Sequence, residues 1–296
     1  MDGRSDRQLD LPHRGPWRRV IGALGPARPA IAGAALALLV LCLADRAESD
    51  AAAPEERDAV AVPEPQRRTP LDRRPLIVSL TYSESEIDVD RFPHAVPELV
   101  QFLLRDTRIG APFAALETRA GDPRATGALF LHLTGQRAAL GFTAAQRRWL
   151  GEYLRDGGLL FAEDVQPLLY GEAYVLGAGR PGSIFDVQVK ELARHPQVLG
   201  AAGADWRRVP DDHPVFTSLF TFRGAPPPGG TDETEINHLE MLEWRGRAVA
   251  FLSELNLSWA WASPHARGRT RALQFGANLA VYALAQRQAG AALRRP

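Results

Sequence analysis

The feature that most constrains the fold is a series of apolar runs without polar alternation, each tied closely to a segment of helical periodicity. Ala128-Leu129-Phe130-Leu131-His132-Leu133-Thr134 is nearly continuous in apolar residues. A strand with one wet face alternates polar and apolar side chains, whereas a parallel strand covered on both faces does not. Leu76-Ile77-Val78-Ser79-Leu80-Thr81-Tyr82 has the same character and predicts the first strand. Phe113 to Thr118 predicts a second strand and Ala128 to Thr134 a third. Leu159-Leu160-Phe161-Ala162 predicts a fourth, ending in Glu163-Asp164.

Between these runs the period changes to that of a helix. Val96, Leu99, Val100, Leu103 and Leu104 share one face, and Pro97 is tolerated in the first turn. Thr143-Ala144-Ala145-Gln146 is a capping box, with hydroxyl and amide satisfying opposite orphan N–H groups. The helix it opens places Ala145, Trp149, Tyr153 and Leu154 together and stops at Gly157-Gly158, which suits a left-handed C-cap. Ser183 opens another helix, with Phe185, Val189 and Leu192 inward. Strand–helix alternation implies right-handed βαβ units and an α/β fold: a Rossmann-like, doubly wound, mostly parallel sheet with helices on both faces.

The C-terminal third is less regular. Val215-Phe216 and Phe220-Thr221-Phe222 predict short extended pieces, and Gly224 to Thr234 a loop. Leu239–Trp244 and Ala248–Leu255 predict a hairpin. Leu273, Ala277, Ala280, Val281 and Leu284 predict a closing helix, in which Gly276 allows close approach to the sheet and Asn278 is a satisfied buried amide.

One hydrophobic helix precedes the domain. Residues Ala30 to Ala44 are fifteen positions without a charge. At 1.5 Å per residue they span about 22 Å, short of a hydrocarbon core of roughly 30 Å. Arg4, Arg7, Arg14, Arg18, Arg19 and Arg28 precede this segment, which holds the N-terminus in the cytoplasm and sends the rest across. Two outcomes stand: an uncleaved single-pass anchor with the C-terminal domain in the periplasm, or secretion after signal cleavage. Residues 45–74 have almost no large apolar side chain to offset ordering entropy and read as a disordered linker. The domain limits expected are 1–29 basic N-terminus, 30–44 anchor or signal core, 45–74 linker, 75–287 α/β domain and 288–296 tail.

Composition removes several chemistries. The 296-residue chain has zero formal net charge, so nothing points to nucleic acid. Lys190 is the only lysine, all other basic residues being arginine. The one cysteine, Cys42, lies in the N-terminal apolar run, leaving the folded domain without a thiol, disulfide or cysteine metal site. No P-loop, no dinucleotide glycine motif after the first strand and no zinc-protease helix is present, so no cofactor is expected. Ser79, Ser218, Ser253 and Ser258 lack the Gly-x-Ser-x-Gly context of a nucleophile elbow. Asp88, Asp90 and His94, or His238 with Glu240, have no strong ligand spacing, so no metal is expected.

In an open α/β sheet, ligands bind beyond the carboxyl ends of the strands, where strand order reverses. Tyr82, Thr134, Gly135, Glu163 and Asp164 fall at such ends and are expected to line a ligand site. Glu163 and Asp164 are adjacent, so on a strand they point to opposite faces. Asp164 then serves either as an acid or base, or as an acceptor bracing a loop. Asp211-Asp212-His213-Pro214 either sets an imidazole beside a carboxylate, which makes Asp212 and His213 site candidates, or is a turn fixed by Pro214 in which Asp212 bonds the backbone. Asn256-Leu257-Ser258-Trp259-Ala260-Trp261 combines amide, hydroxyl and indole groups, suited to a carbohydrate or peptide ligand or to a loop packed over the sheet end, and adds Asn256 and Trp259.

Four stretches carry a family resemblance: Leu131-His132-Leu133-Thr134-Gly135, Gly157 to Asp164, Pro210-Asp211-Asp212-His213-Pro214-Val215-Phe216, and Gly276 to Leu284. In order and spacing they resemble the bacterial domain-of-unknown-function family 4159 over about residues 75–285. The resemblance implies a class I glutamine amidotransferase-like fold, akin to ThuA-like proteins. Amidotransferases of that fold use a cysteine nucleophile, which this domain lacks; Val165 follows the paired acids, and Ser83-Glu84-Ser85-Glu86 replaces a glycine-rich stretch. The expectation is a catalytically degenerate binding or complex-assembly module at the cell envelope, with an envelope complex or a carbohydrate or peptide ligand as partner. The alternative is a thiol-independent hydrolase using Asp164 or His213, the catalytic candidates, with water or a metal.

Overall fold

The apolar runs expected as strands lie side by side in one sheet of the computed structural model. It describes residues 74–82, 92–135, 140–170, 173–178, 182–201, 204–223 and 238–292. The segment 30–44, the linker up to 73, Asp88 and Asp90, Ser83 to Glu86 and the loop Gly224 to Thr234 fall outside the described residues.

The strands are β1 (Leu76–Thr81), β2 (Ala114–Arg119), β3 (Phe130–Gly135), β4 (Leu159–Tyr170), β5 (Ala173–Ala178), β6 (Asp205–Arg208), β7 (Glu240–Trp244) and β8 (Arg247–Ser253). Seven form a sheet in the order β2-β1-β3-β4-β8-β7-β6, and β5 pairs with β4 outside that row. The pairings from β2 through β1, β3 and β4 to β8 are parallel, and β7 and β6 add antiparallel partners at one edge. From β1 the chain goes outward to β2 and then back across to β3, so strand order reverses between β1 and β3. β4 outlasts its expected end: its parallel pairing stops at Asp164, and Val165–Tyr170 turn into one arm of a hairpin with β5.

The helices are α1 (Ala95–Asp106), α2 (Ala144–Arg155), α3 (Ile184–Arg194), α4 (Leu257–Ala262) and α5 (Arg269–Ala292). Alternation along the strands creates two cores. Ile77, Phe130, Phe161 and Phe251 pack with α1, α4 and α5, whereas Val78, Leu131, Leu160 and Leu252 pack with α2 and α3.

Local chemistry sets the element ends. Both hydrogen bonds of the capping box are present at α2, from Gln146 N–H to Thr143 Oγ1 and from Thr143 N–H to Gln146 Oε1. Its C-terminus is a Schellman motif: Gly158 N–H donates to Tyr153 O at 2.9 Å and Gly157, at φ 103°, to Leu154 O. Gly158 has a separate duty, since a Cβ there would lie 2.3 Å from the Tyr153 ring. That closeness sets the buried Tyr153 hydroxyl 3.1 Å from both Ala128 O and Leu159 O, so that its one proton is shared between acceptors at the starts of β3 and β4 and ties them to α2.

Two expectations are corrected. Val215-Phe216 belongs to a 3₁₀ turn (Pro214–Phe216), and Phe220-Thr221-Phe222 forms no strand. Asn278 supplies the reason. Its Oδ1 accepts from Leu219 and Phe220 N–H at 3.1 and 2.7 Å, and its amide donates to Val215 O and Phe220 O at 2.9 and 2.8 Å. One side chain thus does for this segment what a neighbouring strand would have done. The other correction concerns Gly276, which brings α5 close to other helices: a Cβ would meet Leu99 of α1 at 2.6 Å and Trp261 of α4 at 3.1 Å.

Gly158→Ala should therefore lower stability by about 1–3 kcal/mol through overpacking against Tyr153. Gly127→Ala, with nothing within 4 Å of the new methyl, should stay within about 0.5 kcal/mol of wild type. Paired denaturant titrations of the two variants measure the difference.

Candidate functional site

Polar burial is concentrated in one part of the molecule. Among the described residues eleven polar or charged side chains are buried, and all but Asn278 lie between mid-strand and the carboxyl ends of β1, β3, β4 and β8, after β8, or in the first turn of α3. The sheet separates them into two groups.

On the face toward α1, α4 and α5, Glu163 is the centre. Its carboxylate accepts three hydrogen bonds, from Ser253 Oγ at 2.7 Å, Leu257 N–H at 2.7 Å and Ser258 N–H at 2.6 Å. Burial pushes this carboxyl above the usual carboxylate range, opposed by the bonds from Ser258, Ser253 and Leu257. The turn it holds passes through Asn256, a buried residue in the left-handed region at φ 58° and ψ 38°. Residues Asn256 to Trp261, expected as a loop or ligand platform, are this turn and helix α4. Ser258 Oγ lies 2.8 Å from His132 Nε2, a pair the spacing of the sequence does not announce. Both are wholly buried, and the imidazole lies against Phe161 and Trp261 with ring centroids 6.1 and 5.7 Å away. Trp261 is core, while Trp259 is only half-buried. Thr134 is buried on this face. Hydrogen bonds link Glu163, Ser253, Ser258 and His132 across three strands and α4, which suits bracing.

Asp164 points the other way, toward α2 and α3, as the alternation expected of adjacent strand residues requires. β4 and β8 are in register through Glu163 and Ser253, so the next residues, Asp164 and Glu254, emerge side by side on this face. Both are buried, and Glu254 is 6% exposed. From α3 come Asp186 and Lys190, and from β7 Glu240. Lys190 Nζ is 2.8 Å from Asp186 Oδ1 and pairs with Glu240. Burial works against the Lys190 charge, but these two carboxylates outweigh it and raise the ammonium above its ordinary value. Glu254 Oε1 has no hydrogen-bond partner among the described residues. Burial, reinforced by Asp186, Asp164 and Glu240, pushes the Glu254 carboxyl to about 8, so it is neutral at pH 7. At the β1/β3 reversal, Gly135 makes room for two side chains: a Cβ would lie 2.3 Å from the Phe185 ring and 2.4 Å from Tyr82 Oη. Glu254 and Asp186 escaped the sequence reading; the register of β8 against β4, invisible without pairing, is what places Glu254 beside Asp164.

Asp212 and His213 lie elsewhere, lining a cavity of ≈ 360 Å³ with Arg207, Glu243 and Tyr282. The Asp-His-Pro segment is a turn, but its cap is His213: Nδ1 accepts from Val215 N–H at 3.2 Å. Asp212 cannot bond the backbone two residues on, because Pro214 has no N–H. Burial, then Arg207, pulls His213 down to about 4. In the neutral ring Nδ1 holds the only lone pair and spends it on the cap, so Nε2 carries the proton, 3.5 Å from Tyr282 Oη. No lone pair is left for a general base. His213 packs on Phe251 and Tyr282 of the α5 face, so the fold does not bring it to Asp164. His94 and His238 join no larger ligand set: among the described residues no three His, Cys, Asp or Glu are grouped to hold a metal ion. No helix among them is long and apolar enough to cross a membrane.

The Glu254 carboxyl carries a clear pH signature. The folded chain keeps its proton to about pH 8, whereas the unfolded chain releases it near 4.5. The wild type therefore loses stability as pH rises from about 4.5 to 8, and no further loss comes from this group above that. Glu254→Gln, which cannot ionise, should gain roughly 3–5 kcal/mol relative to wild type across that window. Melting temperatures of both proteins from pH 4.5 to 8.5 measure it; a constant difference contradicts the assignment.

No curated protein matches the chain. A family model described as a domain of unknown function, DUF4159, matches residues 76–284, which run from the start of β1 into α5. The chain belongs to that family.

Proposed function

We propose that this protein is a ligand-binding module of the cell envelope, with its seat at the carboxyl edge of the sheet on the face of α2 and α3. The fold is read as class I glutamine amidotransferase-like, and the domain as a catalytically degenerate form of it, because the span 76–284 has no cysteine to act as a nucleophile. The hydrophobic segment 30–44, with arginines before it, is read as the tether that places the domain outside the cytoplasmic membrane. The observation that carries the binding role is the concentration of buried polar side chains at one edge of the sheet. Burying them costs stability unless they are bonded. The Glu163 carboxyl has its three donors in place, whereas Glu254 Oε1, at the carboxyl edge of the sheet, has no hydrogen-bond partner among the described residues.

A thiol-independent hydrolase remains the second reading, favoured by one feature: Glu254, neutral at pH 7, lies beside Asp164, an acid and a base in adjacent positions. His213 adds nothing to it, since its lone pair is engaged.

The full-length chain should fractionate with membranes or the periplasm; recovery from the cytosol overturns the placement. Purified full-length protein, assayed by thermal shift against panels of amines, sugars and peptides, should show ligands whose effect falls at least tenfold in Asp164→Asn but not in His213→Ala. Turnover on a hydrolase panel, lost in Asp164→Asn while the variant stays folded, would replace the binding reading with the second.

A further inference from the structure

Away from the carboxyl edge, the turn that carries Asp212 and His213 closes a cavity of ≈ 360 Å³ with β6, β7, the amino end of β8 and Tyr282 of α5. It lies on the α5 face, at the other end of β8 from Glu254. The volume is at the small end of ligand pockets, and the lining has their composition, apolar surface with a few polar groups. Pro210, Pro214, Met241 and Ala248 supply the apolar part.

The polar part is of mixed sign. Arg207 is paired with Glu243 across the β6–β7 ladder, so together they bring no net charge. Asp212 is exposed and takes part in no ion pair among the described residues, whereas its neighbour Asp211 lies 3.6 Å from Arg208. His213 is fixed in place: its Nδ1 accepts from Val215 N–H, and its ring packs against Phe251 and Tyr282, with centroids 5.6 and 5.2 Å away. The Nε2–H that remains is 3.5 Å from Tyr282 Oη, longer than the roughly 3 Å of a firm bond. The cavity thus presents a neutral donor held in a set position beside a carboxylate that has no ion-pair partner. An anion would meet Asp212 and Glu243, and a cation would meet Arg207 and the imidazole N–H. A hydroxyl suits both, since it accepts through its oxygen and donates through its proton.

We propose that this cavity is a second ligand site, which takes one ring of a neutral sugar. A ring hydroxyl accepts from His213 Nε2–H, a neighbouring hydroxyl donates to Asp212, and C–H groups of the ring cover the apolar lining. The site is independent of the one proposed at the carboxyl edge and stands or falls separately.

Full-length protein is titrated with glucose, galactose and mannose, and with glucuronate, glucosamine and N-acetylglycinamide as anion, cation and amide. Nitrogen NMR follows the His213 imidazole, assigned by its loss in His213→Asn. At least one neutral sugar should shift the Nε2 resonance saturably. Asp212→Ala, which removes an exposed side chain, should weaken that binding about tenfold. His213→Asn, whose amide oxygen still caps Val215 N–H, should weaken it about fivefold, read by thermal shift. Gly127→Ala should bind as the wild type does. No response to any of the three sugars overturns the site. Tighter binding of glucuronate or glucosamine than of glucose overturns the neutral ligand, and binding of N-acetylglycinamide in place of the sugars overturns the sugar. A sugar lost in Asp164→Asn but kept in Asp212→Ala binds at the carboxyl edge, which overturns this inference and leaves the binding role above standing. One lost in Asp212→Ala but kept in Asp164→Asn supports the second site alone.

Discussion

The arrangement of this domain depends on one buried carboxylate. Glu163 closes the gap between β4, β8 and the start of α4 by accepting from Ser253, Leu257 and Ser258. A buried carboxyl without donors costs several kcal/mol, and three short donors reduce that cost only while the β8–α4 turn keeps its shape. The shape includes the left-handed conformation of Asn256, one of two non-glycine residues with positive φ among those described. Strain at that residue and solvation of Glu163 therefore hold each other in place.

Fixing Glu163 on one face fixes Asp164 on the other, and the two faces meet opposite electrostatic conditions. Toward α4 the acid is met by backbone N–H groups and hydroxyls. Toward α3 lie Asp164, Glu254 and Asp186, with Lys190 bridging Asp186 and Glu240. The sheet thus separates an acid that accepts from three donors from a cluster of acids by the thickness of a single strand. The same geometry explains why His213 stays apart: it caps a 3₁₀ turn on the α5 face and faces Tyr282.

Much of the fold was legible because it rests on short-range chemistry. Thr143 and Gln146, Gly157 and Gly158, and Ser183 are local signals whose bonds close within a few residues, and each opens or ends a helix as its residue type demands. The unbroken apolar runs of β1, β3 and β4 announced strands covered on both faces. The reading failed where a distant residue supplied the partner. Val215 to Phe222 is apolar and aromatic enough for a strand, yet Asn278, some sixty positions on, takes its backbone groups. Tyr82, Thr134, Gly135, Glu163 and Asp164 were expected at the carboxyl edge of the sheet from position alone and lie there, whereas Glu254 and Asp186 had no local mark.

By itself the sequence determined that β1 to β4 lie in a parallel sheet, that helices cover both faces, and that the folded span has no thiol, because these follow from residue type and period. Tertiary structure alone decided that Glu163 is met by backbone N–H groups and that Glu254 emerges near Asp164, Asp186 and Glu240. That outcome depends on the register of β8 against β4 and on the side from which α3 approaches. The first is set by pairing between segments roughly ninety residues apart, the second by packing of α3 on the sheet, and no local pattern extends over either.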